Sequence, residues 1–502
     1  MSADSRQTRP PARWRRPAAA LAVALACAGP AAAPAAASPE QNTIFDATSS
    51  LLDGQGATHR TDVLDRLEAL GVDTLRAQIR WRLFVPDPNS GVKPRDFDAD
   101  DPGDYPNDAF KALDDIVREA EERGISVLLT PTSPIPDWAG STGNSATFGP
   151  EPDEYGDFVT ALGRRYSGTC VPPDCPPAGL GPDPLPRVDQ WAVWNEPNLR
   201  TFLRPQRLAD GRTVSGNVYR RLWFAAQRAL KVSGHAGDEV LIGETAPSRG
   251  SSSTAPLKFQ RQLFCLSLKY LPVRECEPIV ADGWSHHPYN PHVPPWRPPD
   301  EKHRGILSIG SMGRLTNSLR RVWQAGATED RLPVYITEYG IESLPEDRYG
   351  VSLQRQAEFL GAAEYLLYRN PQVLAFAQYL LDDDEKPESE LSFQTGLRFH
   401  NGTPKPSYQA FPVTLVVRRL GNSGSAEVWG HVRPGVGFRE VSIRVRDGED
   451  EPSRALRTVE TDIDGYFSFL TSFRRGREWR ATTSLPDGRL LKGPFVRSYR
   501  FD

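Results

Sequence analysis

Two short apolar runs each end in a glutamate. Asp189-Gln190-Trp191-Ala192-Val193-Trp194 leads into Asn195-Glu196-Pro197-Asn198, and Val334-Tyr335-Ile336-Thr337 leads into Glu338-Tyr339-Gly340. Both runs have the β-branched and aromatic content of buried strands, so each glutamate lies where a strand opens into a loop. One glutamate in such a place serves most simply as a helix N-cap or an ion-pair partner. Two at the same end of one sheet have the composition of a paired-carboxylate site. One would attack as a nucleophile and the other would give and take a proton, about 5–5.5 Å apart, the arrangement of retaining glycoside hydrolysis. Whichever acts as the acid must then carry a proton as the leaving oxygen departs, while the other stays ionised.

The elements that must position them recur from Asn42 to about Phe411 as an amphipathic helix, a glycine and a short apolar strand. Asp62 to Leu70 carries Val63, Leu64, Leu67 and Leu70 on one face, Gly71 ends it, and Val72–Ile79 follows as a strand. Asp108 to Arg123 repeats the pattern, with Gly124 as its stop and Ile125–Thr130 as its strand. Further helices at 155–166, 218–232, 257–268, 315–325 and 353–368 precede strands at 188–194, 240–243, 279–285, 334–337 and 373–381. With a first strand near Thr43–Ala47, eight βα units predict an α/β fold, a closed (β/α)8 TIM barrel. Its strand ends four and seven carry the two glutamates. Residues 412–502 alternate instead, as in Val428-Trp429-Gly430-His431-Val432 and Val441-Ser442-Ile443-Arg444-Val445, with turns at Asp464-Gly465 and Asp487-Gly488. Six or seven short strands there predict a small β-sandwich accessory domain after a barrel spanning 38–411.

Trp-Asn-Glu-Pro-Asn after strand four and Thr-Glu-Tyr-Gly after strand seven resemble glycoside hydrolase clan A, the retaining TIM-barrel glycosidases, with Trp191–Leu199 most similar to family 39 and then to family 5 cellulase-like enzymes. The resemblance implies that Glu196 is the acid/base, Glu338 the nucleophile and Asn195 a partner of the sugar 2-hydroxyl. It implies that Arg76 holds Glu338 ionised and that His287 and Tyr289, as a His-X-Tyr pair, share a face, with Tyr289 orienting the nucleophile. His286 then points the other way and is structural. The segment Gly402–Tyr408 resembles the connection from strand eight to the last helix. Trp81, Trp138, Trp284 and Tyr379 stand at or near strand ends, where rings offer sugars a flat apolar platform. Of these, Trp138 and Tyr379 are the better substrate-binding candidates. Trp296, in the Pro-rich loop after strand six, is a further cleft candidate, whereas Trp191 and Trp194 fall within a strand and should pack.

Other acidic residues fit the bland reading better. Glu244 lacks a counterpart in the clan as a catalyst, and Glu342 and Asp382-Asp383-Asp384 read as solvated loops. No P-loop, dinucleotide fingerprint, metalloprotease motif or serine elbow occurs, so the reading is metal-independent, with no cofactor and a carbohydrate as substrate. A non-catalytic glycan-binding barrel is the alternative. The sequence leaves the sugar, the linkage and the oligomeric state open.

Composition agrees with export. Arg6, Arg9, Arg13, Arg15 and Arg16 precede an Ala/Leu/Val run that ends in Ala35-Ala36-Ala37, the pattern of a signal peptide over 1–37. A lipid anchor at Cys27 is the rival reading. Loss of five Arg and one Asp takes the formal charge from −4 to −8, against nucleic-acid binding. Mean hydropathy of −0.49 excludes a polytopic membrane protein, and no span is expected. Four cysteines then remain in an oxidising compartment, and nearest-neighbour disulfides Cys170–Cys175 and Cys265–Cys276 are expected, a zinc site being the weaker alternative because no CxxC occurs. Among 46 prolines, many lie in 172–186 and 288–299, the loops where specificity should reside.

Overall fold

The computed structural model describes residues 38, 41–52, 56–142, 146–171, 184–248, 252–290, 292–299, 306–385 and 392–501. The expected signal segment, most of the Pro-rich loop after Arg165 and Cys175 lie outside the described residues.

Eight parallel strands close into a barrel in sequence order: β1 (Asn42–Asp46), β2 (Thr74–Arg80), β3 (Ser126–Thr132), β4 (Gln190–Ala192), β5 (Glu239–Thr245), β6 (Gly283–His286), β7 (Val334–Ile336) and β8 (Val373–Tyr379). Helices α1 (Thr48–Leu52), α2 (Ala57–Leu70), α3 (Lys111–Glu122), α4 (Pro152–Arg165), α5 (Ser215–Val232), α6 (Pro256–Leu263), α7 (Met312–Gln324), α8 (Leu353–Tyr368) and α9 (Pro406–Ala410) lie between or after the strands. α2 buries Val63, Leu64, Leu67 and Leu70, and Gly71 stops it in the left-handed conformation (φ 74°), its N–H bonding Glu68 O. A Cβ on Gly71 would sit 2.7 Å from Cβ of Arg433, so the same glycine lets the C-terminal unit approach.

Some expected boundaries move for local reasons. β4 is three residues long, because Trp194 takes a positive φ of 65° and turns the chain before Glu196. α6 ends at Leu263, because Cys265 (φ 55°) diverts the chain into a hairpin closed by the Cys265–Cys276 disulfide. Cys170 is also disulfide-bonded.

Beyond the barrel, β9 (Val413–Leu420), β10 (Ser425–Val432), β13 (Tyr466–Ser472) and β16 (Ser498–Tyr499) form one four-stranded sheet, ordered β13-β10-β9-β16. β11 (Glu440–Arg446), β12 (Arg454–Glu460), β14 (Glu478–Ser484) and β15 (Leu490–Lys492) form the other, ordered β12-β11-β14-β15. Val413, Leu415, Val417 and Val428 pack across onto Val441, Ile443, Val445 and Trp479, the core of a sandwich. The eight strands exceed the six or seven expected, since β15 and β16, at three and two residues, are too short to show alternation.

The sandwich is joined to α8 by a buried polar network. Glu364 accepts from Arg433 (2.6 Å), Thr414 (2.9 Å) and His431 (2.7 Å). Trp296, a candidate for the cleft, packs instead on Phe359, Tyr499 and Phe501, with centroids 5.5, 5.2 and 4.7 Å away. It belongs to the seam between barrel and sandwich. Among the described residues no helix is long and apolar enough to cross a membrane.

Candidate active site

The site grows from β2. Period-two alternation sends Arg76 and Gln78 into the barrel together. Arg76 is fully buried and serves four acceptors: Asp46 at the end of β1 (2.5 Å), Glu338 (2.6 Å), Asn195 Oδ1 (2.7 Å) and Glu244. Burial opposes its charge, but Glu244, Glu338 and Asp46 outweigh that and hold the guanidinium firmly protonated. Glu338 also accepts from Gln78 Nε2 (3.0 Å) at Oε1 and from the Tyr289 hydroxyl (3.1 Å) at Oε2. Burial pushes the Glu338 carboxyl up to about 7; His287 and Arg76 pull against it, while Glu196 and Asp46 add to the rise.

Glu196 arrives by a different local device. Trp194 (φ 65°) and Glu196 itself (φ 42°) both sit in the left-handed region, which non-glycine residues enter at a cost and mainly at functional sites. Between them, Asn195 is pinned by its N–H to Thr132 Oγ1 (3.0 Å) and by Arg76 on its amide oxygen, which leaves the amide NH2 as its donor.

A bulge on β5 brings in a third glutamate. The β5–β6 register shifts between Ile242 and Thr245, and Gly243 takes φ 117° where a Cβ would lie 2.8 Å from the Trp284 ring. Glu244 (φ 44°) thereby turns into the barrel interior and is completely buried. It accepts Thr337 Oγ1 (2.7 Å) and Arg76, and faces His287 Nε2 at 3.1 Å. Burial alone would raise its pKa, yet Arg76 and His287 bring it down to about 2.

β6 ends at His286, so strand alternation does not by itself carry on to Tyr289. A tight bond from Tyr289 N to His287 O (2.9 Å) makes the turn that aims both inward. His287 places Nδ1 3.0 Å from Glu196 Oε1 and 3.6 Å from Glu338 Oε2. Burial works against its charge, but Glu338 and Glu244 raise its pKa to about 10. His286 faces away to Thr245 Oγ1 (2.9 Å) and Leu307 O (3.2 Å), and burial lowers it to about 3, a neutral structural histidine.

Glu196, His287 and Glu338 bring one ligand atom each within 4.8 Å of one another. The grouping reads as ion pairing rather than a metal centre: His287 commits both ring nitrogens to carboxylates, and Glu338 already faces two cations.

Of the candidate rings, Tyr379 stands beside the site, edge-on to Tyr289 (6.3 Å) and to Phe393 (5.4 Å). Trp138 is 9% exposed, packs edge-on against Trp81 (6.1 Å) and Phe97 (6.0 Å), and is a core ring rather than an open platform. Trp81, Trp191, Trp194 and Trp284 are buried. Two loop acids expected in solvent are also buried. Glu342 accepts Gln394 N (2.6 Å), and Asp383 accepts Lys405 Nζ (2.6 Å) and Gly396 N (2.9 Å), which ties the loops after β7 and β8 together. Asp46 and Gln78 are the members that sequence reasoning passed over, and Glu244, weighed there only as a catalyst, joins the network as an ion-pair partner. Gln78 lies two residues beyond Arg76 on the same strand face, and Gly243 before Glu244 is the signal of the bulge.

No family model and no curated protein matches the chain. Solved structures do. A family 39 glycoside hydrolase from the gut symbiont Bacteroides cellulosilyticus WH2 aligns over 88% of this chain and 81% of its own, at 15% identity and TM-score 0.51. A GH5_18 protein from Streptomyces cattleya, in complex with GlcNAc, aligns over 75% and 79%, at 17% identity and TM-score 0.48. A family 1 β-glucosidase from Thermotoga maritima aligns over 72% and 91%, at 15% identity and TM-score 0.43. At 15% identity the likeness to the family 39 structure bears on the barrel fold alone.

Proposed function

We propose that the chain is a glycosidase that cleaves O-glycosidic bonds of a poly- or oligosaccharide by double displacement, with Glu338 as nucleophile and Glu196 as acid/base. The observation that carries the reading is the pairing of two carboxylates, their nearest oxygens within 4.8 Å, with unequal sets of donors. Such closeness suits direct attack and leaves no room for the intervening water that inversion needs. Glu338 takes three donors, from Arg76, Gln78 and Tyr289, and therefore holds the negative charge. Glu196, which lacks that donor set, takes the role of the acid.

In the first step Glu338 bonds the anomeric carbon while Glu196 protonates the departing oxygen. Esterification removes the charge of Glu338, and Glu196, now a carboxylate, takes a proton from the water that releases the sugar. Asn195, its oxygen held by Arg76, offers N–H to the 2-hydroxyl, a bond that strengthens as positive charge develops. Tyr379 lines the sugar site. Residues 38–411 serve as the catalytic unit and 412–502 as an accessory unit, and the cysteines bonded at 170, 265 and 276 support an exported enzyme.

The test is hydrolysis of a glycan library by wild type, Glu338→Ala and Glu196→Ala. Cleavage of at least one glycan by wild type, lost at least about a thousandfold in Glu338→Ala, is expected. Binding without turnover by the wild type would replace this reading with that of a glycan-binding barrel.

A further inference from the structure

Glu244 is ionised, fully buried and unused by the double displacement, and the β5 bulge exists to turn it inward. Its carboxylate is satisfied by Thr337 and Arg76, so it has no need of a proton of its own. The proton in its 3.1 Å contact with His287 Nε2 therefore belongs to the imidazole. A neutral imidazole protonated there would present only a lone pair at Nδ1, 3.0 Å from Glu196 Oε1, and could pair with that oxygen only by tying up the Glu196 proton on it. An imidazolium has a proton for each carboxyl.

We propose that Glu244 is a positioning residue that keeps His287 doubly protonated, so that Nδ1–H donates to Oε1 of Glu196 and leaves Oε2 as the oxygen that exchanges the catalytic proton. The inference rests on the glycosidase reading above. In the first step the proton on Oε2 passes to the glycosidic oxygen as the C–O bond breaks and the bond to Glu338 forms. In the second a proton from water returns to Oε2 as that ester is cleaved. His287 keeps both its protons throughout. The groups that face it are Glu196, Glu244, Glu338 and the Tyr289 ring, with Arg76, Asp46 and His286 behind them. Once Glu338 is esterified, Glu196 retains a neighbouring cation, which keeps it a carboxylate ready to act as base.

The test pairs a spectroscopic readout with a kinetic one. The chain has eight histidines, few enough for selectively labelled NMR spectra to be resolved. In wild type, the buried histidine that contacts Glu196 should show both ring nitrogens protonated from pH 5 to 8. In Glu244→Gln it should titrate within that range, and the alkaline limb of kcat/KM should move up by about one pH unit, the effect of losing one nearby cation. Glu244→Asp, which keeps the charge but draws it back from Nε2, should shift both readouts the same way by less, and decides the matter if Glu244→Gln does not fold. A His287 that is neutral in wild type, or that stays doubly protonated in the folded variants, overturns the proposal. A wild type that cleaves no glycan would defeat the glycosidase reading, while the spectra would still decide the charge of His287.

Discussion

Replacing Arg433 by Met tests how the sandwich is held to the barrel. Arg433 is 1% exposed and donates to Thr43 Oγ1 (3.0 Å), Phe411 O (2.7 Å), Thr414 Oγ1 (3.1 Å) and Glu364 Oε1 (2.6 Å). Methionine keeps the apolar stem over Phe411 but leaves Glu364 charged, buried and bonded only by Thr414 and His431. Removing one partner of a buried ion pair costs about 3–5 kcal/mol; the retained packing puts the expected loss near the lower end, about 3 kcal/mol. That loss should depend on pH. In wild type, burial and the Arg433 charge lower the His431 pKa, against the pull of Glu364. Without Arg433, burial still opposes the charge but Glu364 acts on His431 alone, so its pKa rises relative to wild type and His431 protonates more readily as the missing cation. A histidine pKa raised relative to wild type contributes stability at low pH, and that contribution disappears as pH rises through the folded value in the variant. Urea unfolding followed by tryptophan fluorescence, to which Trp429 at this seam contributes, should therefore show a deficit of about 3 kcal/mol at pH 8 and a clearly smaller one at pH 5.5. A deficit under about 1 kcal/mol at pH 8, or one equal at the two pH values, would refute the reasoning.

Three further outcomes follow from the same geometry. Burial pushes Glu239, at the start of β5, up to about 8, opposed by the Tyr335 hydroxyl and aided by Asp282 and Asp189, so its stabilising proton is lost as pH rises towards 8; Glu239→Gln should gain stability over wild type at pH 9 in thermal melts, with the gain shrinking by pH 5. Tyr289→Phe removes one donor to the Glu338 carboxylate and should lower kcat/KM by roughly 10–150-fold with a normal melting curve; an unchanged rate would remove Tyr289 from the site. Trp296→Ala should cost roughly 2–4 kcal/mol of stability in urea melts and leave KM unchanged, since the ring packs on Tyr499 and Phe501; a raised KM would return it to the cleft.

The barrel was legible because each repeat states its own ends: the apolar stripe of Val63, Leu64, Leu67 and Leu70, then Gly71, then an apolar run, is a helix, a stop and a strand in local terms alone. Glu196, Glu338, Arg76, His287 and Tyr289 converge because each lies at or near a strand end, and closure of the barrel brings those ends together. Glu244 is visible in the sequence, but its place at the centre of the ion-pair network is not, because its direction depends on a bulge, a mismatch between two strands of which Gly243 is the only local sign. The packing of Trp138 and Trp296 is illegible in the sequence for a related reason. A ring near a strand end can turn to a ligand or to a neighbouring element, and only the positions of Trp81, Phe97, Tyr499 and Phe501 decide. Glu342 and Asp383 read as solvated because Gln394 and Lys405, which satisfy them, are 52 and 22 residues away.

The stereochemistry of the product tests the central claim most directly. With a glycan from the library that the enzyme cleaves, proton NMR recorded within the first turnovers, before mutarotation, should show the newly released anomeric centre in the configuration it had in the substrate. That is the result of two displacements through a Glu338 ester. Release of the opposite anomer would mean a single displacement by water, and would contradict the assignment of Glu338 as nucleophile.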